Sequence, residues 1–313
     1  MKMTTLKSVA IAAGLASSAF GQATSPVVGY TTETLQLGFN LLGVTLHNKP
    51  LVTGTFESDL TDSDVDFTAL LSDAEATYLV EVEDGAQAGA VAEISGVTAT
   101  TLTAGGLPTG SANYTIREAV NLIDIFPEGT LTGSFNASAA DIVFLPDGSG
   151  GFDQFFFNST AGEFRATDAP FAPADGLVPV FYPDGMFVQV QSGAPVVTIA
   201  GDLKTAPTAV SNVQGFNLVS NPAPTGTTLG SIGLESTLTG SFNANAADVV
   251  SLPDGSGGFN QFFFNSTANV WRSTDSPFVG DESDVVVPSA FFIERRTAGT
   301  TAVASVPDFF AGL

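Results

Sequence analysis

A long internal duplication is the feature of this sequence that most constrains its fold. Residues 131–165 align with residues 238–272 at a constant offset, and only seven of the 35 aligned positions differ. Both copies contain the segments Leu-Thr-Gly-Ser-Phe-Asn-Ala, Leu-Pro-Asp-Gly-Ser-Gly-Gly-Phe and Phe-Phe-Phe-Asn-Ser-Thr. Chance cannot produce this agreement, so the chain contains at least two copies of one structural unit.

A fainter third copy precedes these two. Residues 38–41 and 215–218 both read Gly-Phe-Asn-Leu, and residues 52–56, Val-Thr-Gly-Thr-Phe, are similar to the two Leu-Thr-Gly-Ser-Phe segments. We therefore predict three β units, at residues 22–115, 116–205 and 206–313, of which the last two are close copies in residues 131–165 and 238–272.

The duplicated region has the pattern of a β-hairpin. Residues 141–145 and 152–158 are rich in β-branched and aromatic side chains, and the Pro-Asp-Gly-Ser-Gly-Gly segment between them suits a turn. Further strands are predicted over residues 78–83, 164–167, 178–182, 186–190, 271–274, 285–287 and 291–295, and a short helix over residues 67–76. The chain is thus predicted to be all-β, with repeated antiparallel hairpins forming a β-sandwich or barrel-like architecture.

The N-terminus has the three parts of a secretory signal peptide. Lys2 and Lys7 precede an apolar run over residues 9–19, and the small residues Ala19 and Gly21 fit a cleavage site before Gln22. We expect residues 1–21 to be removed and the chain to be secreted to the extracellular space or cell surface, with the periplasm as the alternative. No later stretch is apolar over the length of a membrane span, so no membrane insertion is expected.

Composition excludes several classes of function. The sequence has no cysteine, which removes disulfides and thiol catalysis. It has 32 acidic residues against nine lysines and arginines, and this net charge of −23 would repel nucleic acid and anionic membranes. No cofactor is expected. Calcium is the metal that such an acidic chain would favour, because calcium takes oxygen ligands.

One segment has the acidic spacing of a calcium loop. Asp62, Asp64, Asp66 and Asp73 follow that spacing, but Phe67 stands where a calcium loop needs glycine. A solvated acidic loop is the preferred interpretation.

Catalytic patterns are largely missing. His47 is the only histidine, no Gly-x-Ser-x-Gly motif accompanies it, and its segment is typical of a strand running into a turn, so we expect it at the surface or in that turn. The acids most easily imagined as a catalytic pair all recur in the second copy, whereas an enzyme needs one pocket. These acids are Asp141, Asp147 and Asp168, repeated as Asp248, Asp254 and Asp275.

The strand rich in phenylalanine allows two interpretations. Alternation places Phe152, Gln154, Phe156 and Asn158 on one face, and the second copy repeats them as Phe259, Gln261, Phe263 and Asn265. If both faces are covered, the strand lies in a core, which is the favoured interpretation. If this face is open, its rings could stack on sugars and its amides could bond to hydroxyls, at two sites.

Several strand and turn motifs together resemble a known group of proteins. They are Gly-Phe-Asn-Leu-Val-Ser-Asn-Pro at 215–222, Tyr-Thr-Ile-Arg-Glu-Ala at 114–119, Tyr-Leu-Val-Glu-Val at 78–82, Gly-Ala-Val-Ala-Glu-Ile at 89–94 and Phe-Phe-Ile-Glu-Arg-Arg at 291–296. The chain resembles an uncharacterised family of secreted, repeat-containing all-β bacterial proteins of similar length. The resemblance implies export and the repeat layout, and it assigns no activity, cofactor or site.

These observations predict a non-catalytic exported protein of the cell surface or extracellular matrix. It would act structurally, by self-association, or by binding polysaccharide of the cell envelope. The alternative is a secreted polysaccharide hydrolase that uses an Asp/Glu pair.

Overall fold

The computed structural model of the chain describes residues 28–107, 110–172, 177–210, 213–223, 226–297 and 302–305. The predicted signal peptide lies outside these residues. The architecture is all-β with antiparallel sheets, as predicted. The strands of the first half are β1 (Val28–Thr34), β2 (Gly38–Leu42), β3 (Val52–Phe56), β4 (Tyr78–Val82), β5 (Val91–Val97), β6 (Leu102–Ala104), β7 (Ala112–Glu118), β8 (Val120–Asn121), β9 (Ile142–Pro146) and β10 (Phe152–Asn158).

The second half continues the series. Its strands are β11 (Glu163–Ala166), β12 (Pro179–Val180), β13 (Met186–Val190), β14 (Val196–Asp202), β15 (Thr208–Val210), β16 (Gly215–Ser220), β17 (Val249–Pro253), β18 (Phe259–Asn265), β19 (Val270–Ser273), β20 (Ala290–Arg295) and β21 (Ala302–Ala304). Two short helices, α1 (Phe67–Leu70) and α2 (Leu122–Ile125), accompany them, with 3₁₀ turns at Gly85–Gln87, Ala137–Ala139, Leu234–Ser236 and Ala244–Ala246.

Two five-stranded sheets have the same construction. The first repeat sheet has the order β2-β13-β9-β10-β11, and the second repeat sheet has the order β16-β20-β17-β18-β19. The Gly-Phe-Asn-Leu segments form the equivalent edge strands β2 and β16, and the strands that follow the duplicated hairpins, β11 and β19, form the other edges. β2, which the sequence placed in the unit 22–115, thus pairs with β13 of the unit 116–205. The sheets group the strands differently from three consecutive units.

A third five-stranded sheet is inserted into the first repeat. This inserted sheet has the order β3-β7-β4-β5-β6 and uses only residues 52–118. The chain enters and leaves it at one place, because Leu51 N–H donates to the Ile116 carbonyl at 2.9 Å. The segment 52–56, which the sequence likened to residues 131–135, forms the edge strand β3 here, whereas residues 131–135 lie outside the strands. That likeness is therefore not a structural equivalence.

Each five-stranded sheet contributes to its own apolar core. The first repeat sheet packs Val143, Phe157 and Val188 against β14 and α2. The second repeat sheet packs Val250, Phe262 and Ile293 around Trp271. In the inserted sheet the rings of Phe56 and Tyr114 stack at a centroid distance of 4.0 Å, and Phe67 of α1 covers them. The protein is a set of sandwich-like layers, each with one apolar face buried.

Three sequence-based elements differ from the structure. The strand predicted over residues 178–182 is limited to β12, which pairs with the equally short β8. The helix predicted over residues 67–76 is limited to α1, because the Asp66 carboxylate caps it by accepting from Ala69 N–H and Leu71 already leaves helical geometry. The strand predicted over residues 285–287 is reduced to an isolated bridge between Thr228 and Val286. An apolar tripeptide without a neighbouring strand edge cannot form a ladder.

The two repeat sheets meet through equivalent residues. Strand register makes Phe187 the counterpart of Phe292 and Gly185 the counterpart of Ala290. The Phe187 and Phe292 rings lie 5.9 Å apart, and Gly185 lies against the Ala290 methyl group. A contact between equivalent positions is the mark of a two-fold axis, so an approximate internal dyad passes between these residues.

The hydrogen bonds at this junction are similar in the two directions. Gly43 N–H donates to Ser289 Oγ at 3.3 Å. Ser220, the counterpart of Gly43, donates its N–H at 3.0 Å to the carbonyl of Pro183, the residue before the counterpart of Ser289. The repeats are thus joined much as two subunits of a symmetric dimer are joined.

Candidate functional site

A surface of phenylalanine side chains runs across the outer faces of both repeat sheets. Alternation along each strand directs Val143 and Val188 into the core, so their neighbours Phe144 and Phe187 point to the opposite side. We define the aromatic face as the seven outward rings contributed by strands β2, β9, β10, β13, β16, β18 and β20. They are Phe39, Phe144, Phe152, Phe187, Phe216, Phe259 and Phe292.

The rings of the aromatic face form one connected network. In the first repeat, Phe187 lies 6.3 Å from Phe39 and 5.3 Å from Phe152, and Phe39 lies 5.7 Å from Phe144. In the second repeat, Phe292 lies 6.4 Å from Phe216 and 5.5 Å from Phe259. Tilted and edge-to-face arrangements at these distances are favourable for aromatic rings.

The network follows the internal dyad. Phe39, Phe152 and Phe187 are equivalent to Phe216, Phe259 and Phe292, and the 5.9 Å contact between Phe187 and Phe292 joins the two halves. The exposures match as well, with Phe39 at 65% and Phe216 at 64%. The one difference is Phe144, whose counterpart is the buried Ser251.

Half of the binding residues predicted from the sequence belong to this surface. Phe152 and Gln154 in β10, with Phe259 and Gln261 in β18, are exposed and lie on the outward side. Within the described ranges the side-chain amides of Gln154 and Gln261 have no hydrogen-bond partner in the protein. These amides are available to a ligand beside the rings.

The other half of the predicted residues is buried. Phe156 packs with Ala140 and Ile142 beneath the 3₁₀ turn Ala137–Ala139, and Phe263 is equally inaccessible. Asn158 Oδ1 accepts from the N–H groups of Thr160 and Ala161, and Asn265 does the same for Thr267 and Ala268. Phe156, Asn158, Phe263 and Asn265 therefore serve packing and turns.

Sequence analysis missed five members of the aromatic face. Phe144 lies on β9 of the first hairpin, and the other four come from strands outside the duplicated hairpins, namely Phe39, Phe187, Phe216 and Phe292. The available signal was the repeated Gly-Phe-Asn-Leu segment, which places a phenylalanine on each edge strand.

The aromatic face is poor in charge. Beside the rings lie Gln154, Gln189 and Gln261, and Glu294 on this side is paired with Arg296. The carboxylates of Asp147 and Asp254 lie at the hairpin tips that border the face.

The duplicated acids have structural roles. Asp141 accepts from Thr132 N–H and Gln191 N–H, both at 2.7 Å, and Asp248 accepts from Thr239 N–H and Arg296 N–H in the same way. At the hairpin tips Asp147 and Asp254 accept from backbone N–H groups of their own loops, which lowers the pKa of both carboxyls. Asp168 and Asp275 lie in the bends after β11 and β19.

Two acids without counterparts share a small cavity. Asp153 and Asp184 line a space of about 240 Å³ together with Phe155 and Val178, and burial raises the pKa of Asp184 to about 6. The second repeat has Asn260 and Ser289 at these positions. Ligand pockets usually enclose about 300–1,000 Å³, so this cavity is small for a sugar.

His47 is buried, which corrects the expectation of a surface histidine. Its backbone pairs with that of Asp202, and its ring lies 4.4 Å from the ring of Tyr182. Burial lowers the pKa of His47 to about 3, so the imidazole is neutral at physiological pH. Neither ring nitrogen has a hydrogen-bond partner among the described residues.

Close to His47, an ion triad joins the inserted sheet to the first repeat. Glu81 accepts from Arg117 Nε at 3.0 Å and from Lys204 Nζ at 3.1 Å, and all three side chains are almost fully buried. The two cations lower the pKa of Glu81 against the effect of burial. The triad thus places a buried, hydrogen-bonded set of charges between the inserted sheet and the segment after β14.

The acidic segment considered for calcium is engaged in protein contacts. Asp62 is buried and accepts from Tyr114 Oη at 2.8 Å, Asp66 caps α1, and Asp73 accepts from Glu75 N–H. In the part of the chain that the structure describes, no group of three or more acidic or histidine side chains is placed to hold a metal.

No family model, curated protein or solved structure matches this chain. None of the described helices is long and apolar enough to cross a bilayer.

Proposed function

We propose that this is an exported, non-catalytic protein of the cell exterior that binds neutral polysaccharide through the aromatic face. The observation that carries the proposal is the connected network of seven outward rings in a charge-poor patch of a strongly acidic molecule. Aromatic rings cover the apolar C–H surfaces of sugars, and the free amides of Gln154 and Gln261 bond to hydroxyl groups.

The exposure of these rings argues for a ligand. Phe39 and Phe216 are about two-thirds exposed, so they contribute little to core stability, yet both copies carry them. Connected aromatic patches on a protein surface mark binding sites more often than isolated exposed rings do.

Charge argues against a second copy of the chain as the occupant. Two molecules that each carry −23 repel one another at low and moderate ionic strength. A neutral polymer meets no such barrier.

Binding to immobilised and soluble neutral polysaccharides tests the proposal. We would compare retardation of the protein in gels containing hydroxyethylcellulose, galactomannan or dextran and its retention on chitin. The double variant Phe152→Ala/Phe259→Ala should bind at least about tenfold more weakly, by analogy with ring stacking worth ~1–3 kcal/mol per site.

The chain offers a matched control. Phe135 and Phe242 are both 56% exposed and equivalent in the two repeats, and they form ring pairs with Phe171 and Phe278 away from the aromatic face. Phe135→Ala/Phe242→Ala should leave binding unchanged. Equal binding by both double variants, or no binding to any polymer, would contradict the proposal.

The unduplicated acids Asp153 and Asp184 favour a hydrolase as the second candidate. A glycosidase needs one carboxyl group with a raised pKa as the acid, and Asp184 has that property. Release of reducing ends from the same polymers, abolished by Asp184→Asn, would replace the binding function with this one.

A further inference from the structure

The aromatic face consists of two equivalent halves that meet at the contact between Phe187 and Phe292. Each half contains an edge-strand ring, a central ring and a hairpin ring in contact with one another. A ligand that fits one half therefore fits the other as well.

We propose that each half of the aromatic face holds its own polysaccharide chain, so that one protein molecule cross-links two chains. This inference rests on the proposed function. The first half-site consists of Phe39, Phe144, Phe152 and Phe187 with Gln154, and the second consists of Phe216, Phe259 and Phe292 with Gln261.

Each half-site is complete without the other. Within each half the central ring, Phe187 or Phe292, contacts an edge-strand ring and a hairpin ring. An exposed glutamine next to the hairpin ring adds a donor and an acceptor in both halves. The residues that would bind a chain are therefore present twice.

The half-sites differ in one ring. Phe144, 5.7 Å from Phe39, extends the first half-site, whereas Ser251 stands at its counterpart. The first half-site should therefore bind the same oligosaccharide several times more tightly than the second.

The number of chains bound per protein molecule tests the inference. Isothermal titration calorimetry with cellohexaose, chitohexaose and mannohexaose should give two bound molecules per protein for the hexasaccharide that binds. The half-site variants Phe39→Ala/Phe152→Ala and Phe216→Ala/Phe259→Ala should each bind one. Phe135→Ala/Phe242→Ala, the matched control, should still bind two.

Solutions of hydroxyethylcellulose, chitosan-free glycol chitin or galactomannan provide the second readout. The unmodified protein should raise the viscosity of a solution of the polymer that it binds. Excess protein should lower the viscosity again, because each polymer site is then occupied by a separate protein molecule and few molecules hold two chains. Either half-site variant should bind the polymer without raising its viscosity.

Three results would overturn the inference. One bound hexasaccharide per protein, lost in both half-site variants, would mean that one chain spans the dyad; polysaccharide binding itself would stand. Absence of binding to every polymer would remove the proposed function as well. Dimers in analytical ultracentrifugation that disappear in the half-site variants would assign the face to a second copy of the chain.

Discussion

Phe152 and Phe156 lie on the same side of β10 but have opposite environments. Phe152 is exposed on the aromatic face, while Phe156 is completely buried under the 3₁₀ turn Ala137–Ala139. The difference arises because residues that precede β9 fold back over only one end of the strand. A single face of a single strand thus contributes both to the packed interior and to the aromatic face.

Truncating the buried ring should be costly. Phe156→Ala removes the ring and leaves a cavity beside Ala140 and Ile142, so the free energy of unfolding should fall by about 3–5 kcal/mol. Chemical denaturation measures this directly. Phe152→Ala serves as the control and should change stability by less than about 1 kcal/mol, since its ring is already solvated. Equal losses for the two variants would show that β10 is covered along its whole length.

Asp184 makes stability depend on pH. Burial raises its pKa to about 6, so between about pH 4 and pH 6 the folded protein binds more protons than the unfolded chain. The free energy of unfolding therefore decreases as pH rises through this interval, and above it the cost is on the order of 3 kcal/mol.

The variant Asp184→Asn removes this cost. Its melting temperature should exceed that of the unmodified protein at about pH 7.5 and equal it at about pH 4, as measured by calorimetry. Asp153→Asn, in the same cavity but at an exposed position, is the control and should show no such divergence. A melting difference that is the same at both pH values would contradict burial as the source.

At the scale of elements, local pattern predicted the strands well. The strand predicted at residues 186–190 coincides with β13, and those at 78–83 and 291–295 differ from β4 and β20 by a single residue. These strands carry alternating or continuous apolar runs that only a buried extended chain accommodates. The predicted hairpin at 141–158 pairs as β9 with β10.

Pairing between distant strands could not be predicted in the same way. β2 pairs with β13, and the whole inserted sheet lies between these two strands in the sequence. No local sequence pattern shows that they are neighbours. For the same reason the sequence identified the Phe/Gln face of the hairpins but missed Phe39 and Phe187, which neighbouring strands bring beside it. The burial of Phe156 also depended on a covering segment that has no periodic signal.

The junction between the repeats depends on a glycine. A methyl group on Gly43 would overlap the carbonyl oxygen of Ser289, so Gly43→Ala must move the end of β2 relative to β20. We expect a loss of about 1–3 kcal/mol in unfolding free energy and a weakened contact between Phe187 and Phe292. Gly105→Ala, where a methyl group meets no atom within 4 Å, is the control. An unchanged melt for Gly43→Ala would show that the junction is loose.

At the scale of the whole molecule, the excess of negative charge opposes compactness. With 32 acidic and nine basic residues, repulsion between surface carboxylates acts across the fold, while the buried triad around Glu81 is shielded from solvent. Dissolved salt weakens the repulsion between surface carboxylates, because mobile ions screen charges separated by more than about 10 Å of solvent at 0.1 M ionic strength. It has little effect on the buried triad, which is not in contact with solvent.

The melting temperature should therefore rise as sodium chloride increases from low to about physiological concentration. Differential scanning calorimetry at fixed pH measures the change, and sucrose at equal osmolality controls for general solute effects. A melting temperature that falls with added salt would show that exposed ion pairs outweigh the repulsion.

The position of the inserted sheet within the first repeat indicates where a protein of this kind can accept an additional domain. Asn40 Nδ2 donates to the Val188 carbonyl across 148 residues, while the equivalent bond from Asn217 to Ile293 spans 76. Doubling the length of a closed loop costs only about 0.6 kcal/mol of chain entropy. The chain entropy lost to the inserted residues is smaller still, because the hydrogen bond between Leu51 and Ile116 holds their two ends together. The rest of the first repeat is therefore joined across a short gap. The segment after β16 occupies the corresponding place in the second repeat, so it is a natural position at which a guest domain with adjacent termini could be accommodated.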